Sequence, residues 1–250
     1  MIQTLERIIV SATDVSAAAA AYAGLFGRTS DTARFDLANT ALEVVAAKDG
    51  AEGLAGLVFL VPDLDGAREG FSRRGLTFAA DGDDGVTWLD TASTYGVSLG
   101  VVDRRSPPVS GEVAPDAVNA LDHVVIRAGD ADRAVALYGA RLGLDFRLDR
   151  SNPQWGARLL FFRCGESVIE ISAPLGAGDT PASDRLDGLA WRVTDPVATR
   201  SRLLGEGFDV SEVRKGRKPG TAVFTLRSGL VGAPSLLIGP SEASLPGSAD

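Results

Sequence analysis

The chain has 250 residues, of which 45% are hydrophobic and 23% are charged, and its formal net charge is −8. This composition is typical of a globular protein with one large domain or two small ones. The acidic balance argues against non-specific binding to nucleic acid or to anionic lipid, because both need a basic surface. The single cysteine, Cys164, excludes an intramolecular disulfide and a zinc site built on several thiolates.

The single histidine, His123, limits the reaction classes further. One histidine excludes an iron site with two histidines and one carboxylate, and it excludes the HExxH site of zinc proteases. No apolar run reaches the roughly 18 residues of a membrane span, and the first residues lack the pattern of a signal peptide. We therefore expect a cytoplasmic protein with no membrane partner.

The first half of the chain contains two segments with a similar pattern of an apolar run, an aspartate and a helical stretch. An apolar run at 5–10 is followed by Asp14, which suits a helix N-cap, and by an alanine-rich stretch that ends at Gly27. A second apolar run at 57–61 is followed by Asp63 and another short helical stretch. Each segment therefore predicts a strand, a helix and further strands.

A stretch with proline, glycine and serine but no apolar periodicity separates the two halves, which predicts a linker. Residues 1–115 contain 9 basic and 16 acidic residues, whereas residues 116–250 contain 16 and 17, so the acidity lies mostly in the first half. The sequence predicts this division: a domain over 1–103, a linker over 104–118, a domain over 119–240 and a frayed tail over 241–250.

The second half repeats the first. The strand, the capping aspartate and the closing glycine of the first segment return as 121–126, Asp130 and Gly143, and the second segment returns at 189–193 and Asp195. The later strands predicted in this half are short ones, namely 157–163, 167–172, 221–226 and 234–238. The chain thus predicts an α+β fold built from four strand–helix–strands units.

The second half closely resembles the glyoxalase/bleomycin resistance protein/extradiol dioxygenase superfamily, also called vicinal oxygen chelate. The segments that carry the resemblance are Leu121–Ile126, Asp130–Tyr138, Leu142–Leu144, Val168–Ile171, Asp187–Val193 and Gly216–Thr221. The resemblance is strong over 119–240 and is weaker but in register over 4–103. The chain looks like an uncharacterised bacterial tandem-domain branch of this superfamily. It implies four βαβββ units paired into two cupped mixed sheets, which hold a substrate and, in many members, a divalent metal.

The resemblance also implies metal-ligand positions in each cup. In the second half they are His123, Glu170, Gly188 and Leu236, and in the first half they are Arg7, Glu43, Gly56 and Leu99. The second cup therefore keeps one histidine–glutamate pair, whereas the first cup is degenerate and its Arg7 and Glu43 suit an ion pair. Since transition metals usually take three or more protein ligands, the set is incomplete, and it does not distinguish zinc, iron, manganese, nickel and magnesium.

Three interpretations of the His123–Glu170 pair stay open. The pair could form a weak metal site that water or substrate oxygens complete. It could perform metal-free acid–base catalysis, because imidazole titrates near neutrality and a carboxylate raises its basicity. It could also be a structural pair in a scaffold that only binds a ligand.

Further basic and aromatic residues are candidates for substrate binding. Arg127 and Arg192 occupy matched strand positions and could clamp a carboxylate or phosphate, or could pair with nearby acids. Arg217 and Lys218 belong to a run of four positive charges over 214–218, which predicts either an anion-recruiting lid or a solvated hairpin.

The remaining aromatic and sulfur-containing residues have simpler interpretations. Trp155 lies in a predicted loop and could form a pocket wall, or could pack over a strand. Trp191 and Phe161 lie on apolar strands and predict core residues. Cys164 lacks a second histidine to activate it, so we interpret it as a structural thiol. No glycine-rich phosphate-binding motif follows a strand, so no nucleotide cofactor is expected.

These features predict a glyoxalase-like small-molecule enzyme of the lyase or isomerase type. It would act in the C-terminal cup on an oxygen-bearing substrate that is anionic or carries a carbonyl group, with His123 and Glu170 as catalytic residues or ligands of a weakly held divalent metal. The alternative is a metal-free binding or resistance protein that sequesters a small molecule. The partner is then a small-molecule ligand rather than nucleic acid, and the resemblance also allows a homodimer.

Overall fold

In the computed structural model the chain is described over residues 1–80, 85–104, 114–176, 183–232 and 234–241. Most of the predicted linker, over 105–113, and the tail from 242 onward lie outside these residues. Within them, no helix has the length and hydropathy needed to cross a lipid bilayer.

The first part of the chain forms a mixed sheet with helices between its strands. Its elements are β1 (Thr4–Ala12), α1 (Val15–Phe26), β2 (Arg34–Asp36), β3 (Ala41–Ala46), β4 (Gly53–Leu60), α2 (Leu64–Arg73), β5 (Thr87–Trp88) and β6 (Leu99–Val102). The strand order in this six-stranded sheet is β2-β3-β1-β4-β6-β5.

The second part of the chain forms a larger mixed sheet. Its elements are β7 (Val118–Arg127), α3 (Ala131–Ala134), which continues as a π-helical segment (Val135–Arg141), β8 (Asp145–Asn152), β9 (Ala157–Cys164), β10 (Ser167–Pro174), β11 (Arg185–Val193), α4 (Pro196–Gly205), β12 (Asp209–Val210), β13 (Arg214–Lys215), β14 (Thr221–Ser228) and β15 (Ser235–Pro240). The strand order is β12-β14-β15-β11-β7-β10-β9-β8, and β13 pairs with β14. The predicted α+β fold with two mixed sheets is confirmed.

The chain forms two compact units, each of which combines segments from both halves of the sequence. Unit 1 consists of Met1–Ile9, Leu54–Pro107 and His123–Asp187. Unit 2 consists of Val10–Gly53, Pro108–Asp122 and Gly188–Asp250. The domain boundaries at 103 and 119 stay a prediction.

Aspartates begin the helices, as their sequence positions predict. The side chain of Asp14 accepts a hydrogen bond of 2.9 Å from the Ala17 amide, and that of Asp63 accepts one of 2.8 Å from the Gly66 amide. Asp130 caps α3 in the same way. These bonds satisfy amide donors that have no partner inside the first helical turn.

The helix predicted after Asp130 differs from a regular α-helix. Its first turn is α-helical, but the backbone widens to π-helical hydrogen bonding from Val135 to Arg141. Sequence periodicity did not reveal this change, because π- and α-helical turns present similar apolar faces over a stretch this short.

Unit 1 buries one face of its strands β7, β10 and β9 against this helical segment. The buried residues on that face include Val124, Ile126, Ile169, Ile171, Leu160 and Phe162. The Phe162 ring lies 5.9 Å from the Tyr138 ring and 4.9 Å from the Phe146 ring. Burial of each such side chain stabilises the fold by roughly 1.5–3 kcal/mol.

Strand β8 is the outer strand of the larger sheet, and its sequence protects it from pairing with other chains. A β-bulge interrupts its ladder with β9 between Phe146 and Leu148. Charged residues at 145, 147, 149 and 150 alternate in sign along the strand. Bulges and charges at an edge discourage strand addition and aggregation.

Unit 2 shows how one arginine satisfies the end of a helix. Arg202 on α4 donates hydrogen bonds of 2.6 and 2.9 Å to the carbonyl oxygens of Gly24 and Leu25, the last turn of α1.

The Trp191 ring packs edge-on at 5.1 Å from the Phe26 ring and is fully buried. The prediction that Trp191 belongs to the core is therefore confirmed.

The only cysteine gives a test of packing in unit 1. Cys164 is 2% exposed, and burial raises the pKa of its thiol to about 12. Because the thiolate is the reacting form, we expect no native-state labelling by a thiol-specific disulfide reagent at pH 8 and one equivalent of labelling in guanidinium chloride. Rapid stoichiometric labelling of the native protein would show that this part of the fold is wrong.

Candidate functional site

Strand register places His123 and Glu170 on one face of the sheet in unit 1. β10 pairs in parallel with β7, so that Val168 lies beside His123 and Glu170 lies beside Val125. Neighbours across a ladder point to the same side, and alternate residues along a strand share a face. His123 and Glu170 are therefore diagonal neighbours.

This face of unit 1, called the open face below, lies opposite the face covered by the helical segment. β9 adds to it the residues that pair with β10, and β8 adds the residues that pair with β9. Its members are His123, Val125, Arg127, Val168, Glu170, Ser172, Leu159, Phe161, Arg163, Leu148 and Arg150.

The histidine and glutamate side chains approach each other directly. His123 Nε2 lies 3.6 Å from Glu170 Oε2, and the two side chains are 19% and 18% exposed. This is an ion-pair distance rather than a hydrogen bond. Partial burial weakens the screening of this pair by solvent.

The strand neighbours of Glu170 on the open face are apolar. Glu170 lies between Val125 and Phe161 in the ladder, and Phe161 is only partly buried. The prediction that Phe161 belongs to the core is wrong, because strand alternation turns Leu160 and Phe162 toward the helical segment and Phe161 toward the open face. Nothing in the apolar sequence of β9 distinguishes these two directions.

The His123–Glu170 pair supplies donor atoms of the kind that a divalent metal takes. Two ligands at about 2.1 Å from one tetrahedral ion lie about 3.4 Å apart, so the His123–Glu170 spacing suits two ligands. In the part of the chain that the structure describes, however, no three metal-ligating side chains lie together. The corresponding positions Gly188 and Leu236 carry no ligating side chain. These residues alone therefore do not make a complete metal site.

The two predicted substrate-binding arginines each contact an acid. Arg127 donates from Nε and Nη2 to Asp187 Oδ2 at 3.1 and 2.9 Å. In unit 2, Arg192 Nε donates to Asp122 Oδ1 at 3.1 Å. Because partly exposed pairs of this kind contribute at most about 1 kcal/mol, a substrate anion could compete for either arginine, and their role in binding stays a prediction.

The other predicted binding residues are exposed. Trp155 ends a short turn of 3₁₀-helix between β8 and β9 and is 49% exposed. Its turn is held by a hydrogen bond of 2.8 Å from the Leu175 amide to the Gly156 carbonyl. Arg217 and Lys218 lie in the turn between β13 and β14, in unit 2.

In the first half of the chain, the positions that correspond to the implied metal ligands hold no histidine. Arg7 Nε lies 3.2 Å from Glu6 Oε2 in unit 1, where Glu6 is 5% exposed. Glu43 belongs to unit 2 and lies opposite Arg34 in the β2–β3 ladder. The predicted Arg7–Glu43 ion pair stays a prediction.

Unit 1 also contains a buried charged cluster that the sequence did not reveal. Asp184 Oδ1 accepts hydrogen bonds from the Gly129 amide at 3.0 Å and from Arg133 Nη2 at 2.5 Å. The Arg133 guanidinium lies 4.4 Å from the centre of the Tyr95 ring. Burial raises the pKa of the Asp184 carboxyl, and these hydrogen bonds oppose the rise. The cluster joins residues distant in sequence, which no local motif marks.

Comparisons with known proteins agree with this architecture. A family model described as the Glyoxalase/Bleomycin resistance protein/Dioxygenase superfamily matches residues 122–224. A similar curated protein is the ethylmalonyl-CoA/methylmalonyl-CoA epimerase of Cereibacter sphaeroides, which is 28% identical over 100 residues, covering 37% of this chain and 75% of the relative.

Two solved structures match nearly the whole chain in fold. A mutant of 4-hydroxymandelate synthase from Streptomyces coelicolor aligns with a TM-score of 0.72 and 14% identity, covering 99% of this chain and 95% of the other. A catechol 2,3-dioxygenase aligns with a TM-score of 0.63 and 19% identity, covering 98% and 96%. These relatives are enzymes by name. Residues 122–224 are thus similar to the glyoxalase/bleomycin resistance protein/dioxygenase superfamily.

Proposed function

We propose that the protein is an isomerase- or lyase-type enzyme that moves a proton at the carbon next to a carbonyl group of a small anionic substrate. The observation that carries this proposal is the 3.6 Å approach of His123 Nε2 to Glu170 Oε2 on the open face. An imidazole beside a carboxylate can take up and return a proton near neutral pH.

The proposed proton transfer uses these two side chains in different roles. The neutral imidazole of His123 accepts the proton from the substrate carbon, and the electron pair of the C–H bond moves onto the carbonyl oxygen. The Glu170 carboxylate stabilises the imidazolium ion while the enolate exists. The imidazolium then returns a proton to the carbon, where the electron pair of the enolate forms the new C–H bond. This step restores the carbonyl group and the neutral imidazole.

Carboxylated acyl-CoA thioesters are the substrates that we propose first. The curated relative acts, by its name, on ethylmalonyl-CoA and methylmalonyl-CoA. Such compounds carry an acidic C–H bond between a thioester and a carboxylate, which suits a base of moderate strength. The apolar neighbours Val125, Val168 and Phe161 would contact a short alkyl substituent on that carbon.

A divalent ion would find two protein ligands at this site, His123 and Glu170, and would need water or substrate oxygens for the others. When bound, it would polarise the carbonyl oxygen as a Lewis acid. Elemental analysis of protein purified without chelator, compared with the His123→Ala variant, distinguishes the two forms of the proposal. Stoichiometric metal that disappears in the variant supports the metal-assisted form, and its absence from both supports the metal-free form.

The proposal predicts exchange of the substrate's α-proton with solvent. Wild-type protein incubated in D₂O with methylmalonyl-CoA or ethylmalonyl-CoA should increase deuterium incorporation at the α-carbon above the rate in buffer alone. Mass spectrometry measures the incorporation, and assays with and without added divalent metal and chelator test the dependence on metal.

The outcomes separate this function from ligand sequestration. Binding of these thioesters without any accelerated exchange would contradict the enzyme proposal and support a binding or resistance protein. Exchange in a non-carboxylated acyl-CoA at the same rate would show that the carboxylate is not recognised.

A further inference from the structure

Strand register places an arginine of the open face close to His123. In the β7–β10 ladder His123 lies beside Val168, and in the β10–β9 ladder Val168 lies beside Arg163. His123 and Arg163 therefore flank Val168 from opposite sides, and Glu170 is a diagonal neighbour of both. All four residues belong to unit 1.

The spacing of these strands leaves room for one small polar group between the two side chains. Neighbouring strands lie about 4.8 Å apart, so the Cα atoms of His123 and Arg163 are about 10 Å apart. Val168, which lies between them, has a short apolar side chain. A carboxylate above Val168 would contact the Arg163 guanidinium, while the carbon that bears the carboxylate would lie toward the His123 imidazole.

The Arg163 side chain keeps most of its hydrogen-bond donors available. It is exposed, and its Nε donates to the Gly165 carbonyl at 3.2 Å in the turn between β9 and β10. Its ladder neighbour Asp145 is engaged by Arg147 at 2.9 Å. Among the described residues, Arg163 makes no ion pair, so its two terminal nitrogens are available to an anion.

A substrate carboxylate at this position needs a cation. The Glu170 carboxylate lies 3.6 Å from His123 Nε2, so a second carboxylate brought to the imidazole meets a like charge. Arg163 lies on the other side of Val168 and offsets this repulsion. A guanidinium group can also donate two parallel hydrogen bonds to one carboxylate, which fixes the orientation of the bound group.

We propose that Arg163 binds the carboxylate of the substrate and thereby selects carboxylated over non-carboxylated acyl thioesters. This deepens the proposed function and rests on it in taking the substrate to be such a thioester. Arg127, on the same face, is less suited to this role because it already donates two hydrogen bonds to Asp187.

Calorimetric titrations with methylmalonyl-CoA and propionyl-CoA test the assignment without requiring turnover. A chelator in both titrations prevents a divalent ion from holding the carboxylate. An exposed ion pair corresponds to a factor of up to about five in affinity, so wild-type protein should bind methylmalonyl-CoA about fivefold more tightly than propionyl-CoA. In Arg163→Gln this preference should disappear, whereas Arg163→Lys should retain part of it because the charge remains.

Arg150→Gln is the matched control. Arg150 is also an exposed arginine of the open face, and it makes no ion pair within the described ranges. Its ladder partner on β9 is Leu159, four residues from Arg163 and so about 13 Å away along the strand. This substitution removes the same charge and should leave the preference unchanged. An equal loss of preference in Arg150→Gln and Arg163→Gln would indicate a general effect of net charge and overturn the proposal.

Three other binding results would also overturn the proposal. The first is a wild-type protein that binds the two thioesters equally. The second is a preference that disappears in Arg127→Gln but not in Arg163→Gln, which would assign the carboxylate to Arg127. The third is a loss of affinity in Arg163→Gln that is equal for both thioesters, which would place the arginine against their shared CoA portion.

The remaining outcomes distinguish this inference from the proposed function. A preference that depends on Arg163, without proton exchange, leaves the inference intact and contradicts only the function. Proton exchange in the wild-type protein, with a preference that Arg163→Gln does not change, contradicts only the inference. Failure of the wild-type protein to bind either thioester contradicts both.

Discussion

Replacement of His123 by alanine is expected to lower kcat for α-proton exchange by at least about a hundredfold, since general acid–base catalysis typically contributes factors of 10²–10⁴. The chain has one histidine, so no second imidazole can take over the proton. Binding of the thioester should stay within about twofold, because the imidazole acts on the proton that is transferred and its loss removes an interaction made mainly in the transition state. The measurement is deuterium incorporation at saturating thioester, with calorimetry for binding.

Two further variants place this effect in the His123–Glu170 pair. Glu170→Gln keeps the size of the side chain but removes the charge that stabilises the imidazolium, so kcat should fall by about tenfold. Ser172→Ala lies on the same strand and the same face as Glu170 and serves as the matched control with near-normal kcat. Full activity in His123→Ala would eliminate the proposed mechanism.

Replacement of Asn39 by alanine is expected to lower the free energy of unfolding by about 3 kcal/mol, the sum expected for two buried backbone groups that lose their partners. Asn39 lies in unit 2 and is 3% exposed. Its side-chain amide pairs with the backbone of Leu121 through two hydrogen bonds, as the backbone of a neighbouring strand would. Nδ2 donates to the Leu121 carbonyl at 2.8 Å, and Oδ1 accepts from the Leu121 amide at 2.9 Å. Urea denaturation measures the change.

Asn119→Ala provides the matched control for this prediction. Asn119 donates from Nδ2 to Thr194 Oγ1 at 3.2 Å in an exposed hydrogen bond, which water can replace. Its loss should cost less than about 0.5 kcal/mol. Equal effects of the two substitutions would show that the buried hydrogen bonds of Asn39 do not carry the stability assigned to them.

Local sequence signals predicted the elements of the fold well. Asp14 and Asp195 begin helices because a short carboxylate side chain accepts the free amides of the first turn, and this interaction needs no distant residue. The alternation of apolar residues in β7 and β10 predicted which side chains share a face. The same signals could not predict the change to π-helical geometry at Val135 or the grouping of segments in the two compact units.

The candidate site was predictable only in its residue types. The sequence by itself determined that the chain has one imidazole, at His123, that Glu170 lies on a strand of matching alternation, and that four positive charges cluster over 214–218. The tertiary structure decided that His123 and Glu170 are diagonal neighbours, that Arg127 contacts Asp187, and that Arg200 engages Glu212. The reason is physical: capping and periodicity act within a few residues, whereas strand register and ion pairing depend on side chains that only folding brings together.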